Sequence, residues 1–286
     1  MRDVAALLAR AQGLLEKVEP MNDVPKKPLA GLAVALLGVS VHRLTWDDLK
    51  AGIAEAAENN RRWVIANHNL HSVYLYHHDP AVRTFYSKAA YAHIDGMPLV
   101  FLGRLLGLAL TRRNRLTPLD WFRPLCAEAA RRGWQIFYLG SKPDVAERGA
   151  RRLREEFPGL RIETAHGYFD PRPDSEENRA VVETINRCRP HLLMVGMGMP
   201  RQEKWILHNF EKVDAGAVFN VGALMDYVAG EIPTPPRWAG QLGLEWLFRV
   251  LSQPRHLWRR YLVEPWFVLR LFVADCVRRN RSGHPG

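Results

Sequence analysis

Cysteine is scarce in this chain of 286 residues: Cys126, Cys188 and Cys276 lie far apart and form no Cys-x-x-Cys. An odd, scattered set argues against a disulfide framework and a structural zinc site, and it points to a reducing compartment. Long apolar runs are missing too. The longest uncharged one, Pro28 to Val41, has fourteen residues, short of the roughly twenty that a membrane-spanning helix needs. It starts behind Lys26 and Lys27, far from Met1, so it is expected to be a buried strand or hairpin and not a secretory signal. No Asp-x-Asp occurs, the short acidic pair that often holds a divalent cation on a diphosphate. A diphosphate ligand would therefore have to be neutralised by arginine. The dinucleotide fingerprint Gly-x-Gly-x-x-Gly is also absent, which counts against a nicotinamide-dependent oxidoreductase.

What is present is positive charge with an address. Lys and Arg number 40 against 30 Asp and Glu, a formal net charge of +10. From Arg237 onward nine arginines face Glu245, Glu264 and Asp275, so the last fifty residues hold more than half of that excess. The same stretch carries Trp238, Trp246, Trp258 and Trp266. Tryptophan beside arginine on amphipathic helices suits an anionic membrane surface. A nucleic-acid surface is the rival, and the tryptophans and the polar strand ends described next weigh against it.

Residues 1–28 read as an N-terminal arm and linker ending in a Pro-Lys stretch. From 29 to 231 apolar runs alternate with helical patterns. Thr45 with Asp48 forms a capping box for an amphipathic helix. In QIFYLGSKPDVAERGARRLREEF, Ile136 to Leu139 is a strand, Gly140-Ser141 a turn and N-cap, and Pro143 to Phe157 a helix. Further strands fall at WVIANHN, Leu160 to Thr164, HLLMVG and AGAVFNVG, with a helix from Ser175 to Cys188. This pattern predicts an α/β fold, a Rossmann-like parallel sheet with helices on both faces. Residues 232–286 follow as a basic, helical appendage broken at Pro254 and Pro265.

Ligands of parallel sheets sit at the carboxyl ends of the strands. Four such ends carry polar or glycine-rich sequence: NHN at 67–69, HIDG at 93–96, LGS at 139–141 and GMGMPRQEK at 196–204. Asp95 is either a general base or a helix cap. Asn67 and Asn69 either bind a ligand or serve turn geometry. Gly140, Gly196, Gly198 and Gln202 either cradle a phosphate or permit close packing. Trp205 reads as a packing residue. His68, His71, His77 and His78 lack a convergent third metal ligand, so no metal site is expected.

Taken together, HIDGMPLV, RLTPLDWF, FYLGSKPDVAE with HGYF, VGMGMPRQEKWI, FNVGALMDYVAGEIPTPPRW and LGLEWLFRVLSQPRHLWRRYL have the order and spacing of the WecG/TagA/CpsF glycosyltransferases. The resemblance runs from about Gly31 to Phe272. It implies an inverting transfer of a sugar, without metal or other cofactor, from a UDP-sugar to a polyprenyl-diphosphate-linked sugar. The place is the cytoplasmic face of the bacterial inner membrane, with the enzyme peripheral. Asp95 matches the family's proposed base. Asn69 is retained from a Thr-x-Asn motif in which Asn67 replaces the Thr. Gly196, Gly198, Pro200, Gln202 and Glu203 match a nucleotide-sugar-binding edge. Arg249, Arg255, Arg259 and Arg260 correspond to arginines thought to close over the donor diphosphate, with His256 at one position of a common Arg pair. No nucleic-acid partner is expected, and a homo-oligomer is left open.

Overall fold

The computed structural model describes residues 29–234 and 264–282. Its eight strands are β1 (Ala33–Leu36), β2 (Val39–His42), β3 (Trp63–His68), β4 (Tyr91–Ile94), β5 (Gln135–Gly140), β6 (Arg161–Ala165), β7 (Leu192–Gly196) and β8 (Ala217–Asn220). They form one sheet in the order β1-β2-β4-β3-β8-β7-β5-β6. Only β1 and β2 pair antiparallel. That hairpin is the apolar run Pro28 to Val41, turning at Leu37-Gly38.

All other strand pairs are parallel, so both faces need cover. Along β5, Ile136 and Tyr138 enter one core and Phe137 and Leu139 the other; along β7, Leu192 and Met194 part from Leu193 and Val195 in the same way. The first face is covered by α1 (Trp46–Glu58), α5 (Pro118–Arg132), α6 (Val145–Glu156) and the short α9 (Leu224–Val228). The second is covered by α3 (Pro80–Lys88), α7 (Glu176–Cys188) and α8 (Arg201–Asn209). The helix α2 (Leu70–His78) precedes α3 directly, and α4 (Met97–Leu105) follows β4.

Local sequence sets the helix starts. The Thr45–Asp48 capping box opens α1, with the Thr45 N–H donating to Asp48 Oδ2 at 2.8 Å, and Ser175 caps α7. One expected cap moves. Ser141 does not open α6; Asp144 does, at φ 68°, because the Ser141 hydroxyl is turned inward to Asp226, 3.0 Å away.

The last described helix, α10 (Glu264–Ser282), lies against a third cluster. Val268, Leu271, Phe272 and Cys276 join the cluster formed by β1, β2, α2 and α4, with α2 the neighbouring helix. The Leu37 N–H donates to Asp275 Oδ2 at 2.7 Å, and His71 Nδ1 lies 2.8 Å from Glu264 Oε1. Pro265 sits in the first turn of α10, a position that tolerates a missing N–H; Pro254, the other expected break, lies outside the described residues.

Candidate active site

Because β3 to β8 are parallel, the four polar strand ends lie on one edge of the sheet, and the structure sorts them into two halves. The first half is built by β3 and β4. The Asp95 N–H donates to the His68 carbonyl at 2.7 Å, and Asp95 is half-buried. Gly96, at φ 112°, takes the N-cap position of α4, so Asp95 is not a helix cap. Asn69 caps α2: its Oδ1 accepts from the Ser72 N–H at 3.0 Å, while its own N–H donates to Ser72 Oγ at 2.9 Å. Behind it, His68 stacks on Tyr86 at 3.8 Å. Burial holds His68 down to about 3, a neutral imidazole.

The second half is a cleft of about 530 Å³ where β5, β6, β7 and β8 end. Its rim is Ser141, Lys142, Gly167, Tyr168, Gly196, Met197, Gly198 and Arg201, and its far wall is Asp226, Tyr227 and Glu231. The glycines have distinct reasons. A Cβ on Gly140 would lie 2.2 Å from the Gly196 oxygen, and one on Gly196 would lie 2.2 Å from Tyr138 OH. These two therefore let strand ends close up. Gly198, at φ 79°, has open space around its Cα, which leaves backbone accessible to a ligand just before α8. Ser141 Oγ donates to Asp226 Oδ2, and burial raises the Asp226 carboxyl. Arg201 donates to the Phe169 carbonyl at 2.6 Å, and Lys142 lies 3.7 Å from Glu231. Tyr168, 61 % exposed, offers a free ring face at the mouth.

Gln202 and Glu203 lie beneath this rim, 0 % and 1 % exposed. Gln202 Oε1 accepts from the Gly222 N–H at 3.1 Å. Asn67 is likewise a floor residue, bonded to Asn220. The four histidines disperse: His71 pairs with Glu264, His77 Nε2 lies 2.8 Å from the Leu37 carbonyl, and His78 Nδ1 lies 2.7 Å from the Tyr74 carbonyl. Trp205 is buried, its indole N–H donating to Asn178 Oδ1. Arg249, Arg255, Arg259 and Arg260 lie outside the described residues.

Sequence reasoning missed Asp226, Tyr168 and Asn220 as site residues. Each stood inside a quoted block, HGYF or FNVGALMDY, yet carried no local sign of where its strand end would meet the others.

A parallel α/β sheet here brings a glycine-rimmed cleft and a half-buried carboxylate to the same carboxyl edge, the edge at which such sheets bind their ligands. The chain belongs to the Glycosyl transferase WecG/TagA/CpsF family, which matches residues 34–282; it is a glycosyltransferase. It is also similar to the N-acetylglucosaminyldiphosphoundecaprenol N-acetyl-beta-D-mannosaminyltransferase of Bacillus subtilis (strain 168), 31 % identical over 182 residues, which are 63 % of this chain and 68 % of that protein.

Proposed function

We propose that the chain transfers an N-acetylhexosamine, N-acetylmannosamine in the first instance, from its UDP donor to undecaprenyl-diphosphate-linked N-acetylglucosamine. The observation that carries this is the pairing on one sheet edge of the half-buried Asp95 with the glycine-rimmed cleft; the relative's name supplies the sugars. The uridine diphosphate occupies the cleft, with the Asp226 carboxylate within reach of ribose hydroxyls, as an acidic group serves in nucleotide folds. The diphosphate meets the backbone at Gly198 and the cations of Arg201 and the C-terminal arginines, so no metal is required. From β7 to β4 is three strand spacings, about 14 Å, so the donor lies across the edge with its sugar toward Asp95.

Asp95 then takes the acceptor hydroxyl proton as that oxygen bonds to the anomeric carbon. The bond from that carbon to the diphosphate oxygen breaks, and UDP departs with the electron pair. One displacement inverts the anomeric centre, so an α-linked donor gives a β-linked product.

Membrane attachment belongs to the same reading. On α10 the residues turned away from the core are Trp266, Leu269, Val273 and Val277, between 45 and 70 % exposed. Its carboxylates, Glu264 and Asp275, are buried, the first against His71 and the second against Arg278, while the Arg270 and Arg278 side chains are exposed. An apolar stripe flanked only by cations fits an anionic lipid surface.

The test is transfer by purified protein in EDTA, with a panel of UDP-sugars and a short-chain prenyl-diphosphate N-acetylglucosamine acceptor, read by mass spectrometry. Product from one donor, reduced about 10²- to 10⁴-fold in Asp95→Asn with UDP affinity retained, is expected. Full activity in Asp95→Asn would overturn the assignment of the base, and product that forms only with added metal would overturn metal independence.

A further inference from the structure

Under the rim, Asn67, Gln202, Glu203 and Asn220 are each no more than 3 % exposed and form one hydrogen-bonded chain. Glu203 Oε1 accepts from Gln202 Nε2 at 2.8 Å and from Asn220 Nδ2 at 2.9 Å. Asn220 in turn accepts from the Asn67 N–H at 3.2 Å through Oδ1, and from Asn67 Nδ2 at 2.6 Å through its carbonyl. The β3–β8 ladder is paired from Trp63↔Ala217 to Ile65↔Phe219, so these two asparagines prolong it by side chains.

Two atoms of the chain have no partner, Glu203 Oε2 and Asn67 Oδ1. Both are acceptors if Glu203 is ionised, and two orphaned buried acceptors in one network are costly. Among the described residues no Lys or Arg pairs with Glu203. The titratable groups facing this region are Tyr86 on α3, which feels both Glu203 and Asp95, and His68 at the end of β3, held neutral by burial. A proton on Glu203 Oε2 turns one of these two acceptors into a donor and removes an unpaired buried charge from a network of otherwise neutral groups.

We propose that Glu203 is a positioning residue held as the neutral acid, its Oε2 hydroxyl donating to Asn67 Oδ1, so that the donor rim and the Asn69–Asp95 end move as one unit. Burial pushes this carboxyl up to about 7, which agrees with a proton retained at and below neutrality. The role differs from donor contact, which a side chain 1 % exposed does not make. As the pH rises past 7 the hydroxyl is lost, Asn67 faces a carboxylate, and the two halves loosen.

The inference rests on the transferase reading only for its kinetic arm; its spectroscopic arm needs no substrate. Infrared difference spectra of wild type against Glu203→Gln are expected to show a protonated-carboxyl carbonyl band at pH 6 that is absent in the variant and fades by pH 8. No such band at pH 6 would overturn the proposal, whatever the activity. In the kinetic arm, Glu203→Gln keeps the donor and the shape of the neutral acid, so kcat is expected within about threefold of wild type without the decline above pH 7. Glu203→Asp, too short to reach, is expected to lose about tenfold in kcat, the scale of one buried hydrogen bond, with UDP affinity unchanged. A folded Glu203→Gln as impaired as Glu203→Asp would show that the charge, not the proton, is needed, and would sink the idea.

Discussion

Asn67, Asn69, Asp95 and Glu203 stand out in the sequence as polar residues at strand ends, but their jobs separate only when their partners are known. Asn69 caps α2 through Ser72, three residues on, a local pattern that sequence carries. Asn67 is tied to Asn220, 153 positions away, and no spacing announces that. Glu203 then gives a stability prediction whose sign follows from its environment. Its folded pKa is raised from 4.5 to about 7, so between those values the folded protein keeps a proton that the unfolded chain releases. Its contribution is undiminished below pH 4.5, falls as pH rises, and is flat above 7; the loss is on the order of 3 kcal/mol. His68 and His93 work oppositely. Both are lowered by burial from 6.5 to about 3, so their contribution is full above pH 6.5 and is lost as pH falls toward 3. Those histidines are common to wild type and Glu203→Gln and cancel in the difference. Urea unfolding at pH 5 and pH 7.5 should therefore show wild type losing about 2 kcal/mol relative to the variant; parallel behaviour would mean that Glu203 is ionised in the folded state.

At the scale of elements, strands and the Thr45 and Ser175 caps were legible because their signals are local, whereas Ser141 was drawn away from its helix by Asp226. The β1–β2 hairpin follows from an apolar run too short to span a bilayer, and α1 from Thr45 and Asp48. The faces of α10 were not legible. Apolar residues at 268, 271, 272 and 276 and at 266, 269, 273 and 277 make the helix apolar on opposite sides, and sequence alone does not say which side the core takes. The structure gives the first set to the core, leaving Trp266 70 % exposed. On α4, Phe101 and Leu105 are also exposed, at 44 and 73 %, and α4 packs into the same third cluster as α10. Trp266→Glu with Val273→Glu should weaken binding to phosphatidylglycerol vesicles by about tenfold or more, since both apolar contact and charge attraction are lost. The melting temperature should hardly change, because neither side chain enters the core. Cosedimentation with phosphatidylglycerol and phosphatidylcholine vesicles measures this. Equal binding of the double variant and wild type would remove α10 as the lipid contact.

For the whole molecule, the expected division into a core ending near Ile232 and a separate appendage meets a physical constraint. The chain's last described helix is packed into the body: Val268 is 4 % exposed, and Asp275 accepts the buried Leu37 N–H of the β1–β2 turn. Removing it takes Val268, Leu271 and Phe272 out of the third cluster, strips helix α2 of a packing partner, and orphans the Leu37 N–H. Full burial of one aliphatic or aromatic side chain is worth about 1.5–3 kcal/mol, and an orphaned buried group costs about 1–3 kcal/mol. Several such losses compare with the whole stability of a typical domain, about 5–15 kcal/mol. Truncation after residue 234 should therefore lower the melting temperature by on the order of 10 °C, and loss of transfer in that variant would report unfolding as much as a missing arginine. Replacing Arg249, Arg255, Arg259 and Arg260 together by Ala separates the two effects. If these cations neutralise the donor diphosphate, that variant should melt within about 2 °C of wild type while its transfer falls about a hundredfold or more, the scale of losing charged stabilisation at a leaving group. Thermal unfolding and product formation, measured on the same preparations, decide between closure by charge and support by packing. A quadruple variant with full activity would assign diphosphate neutralisation to Arg201 and the backbone at Gly198 instead.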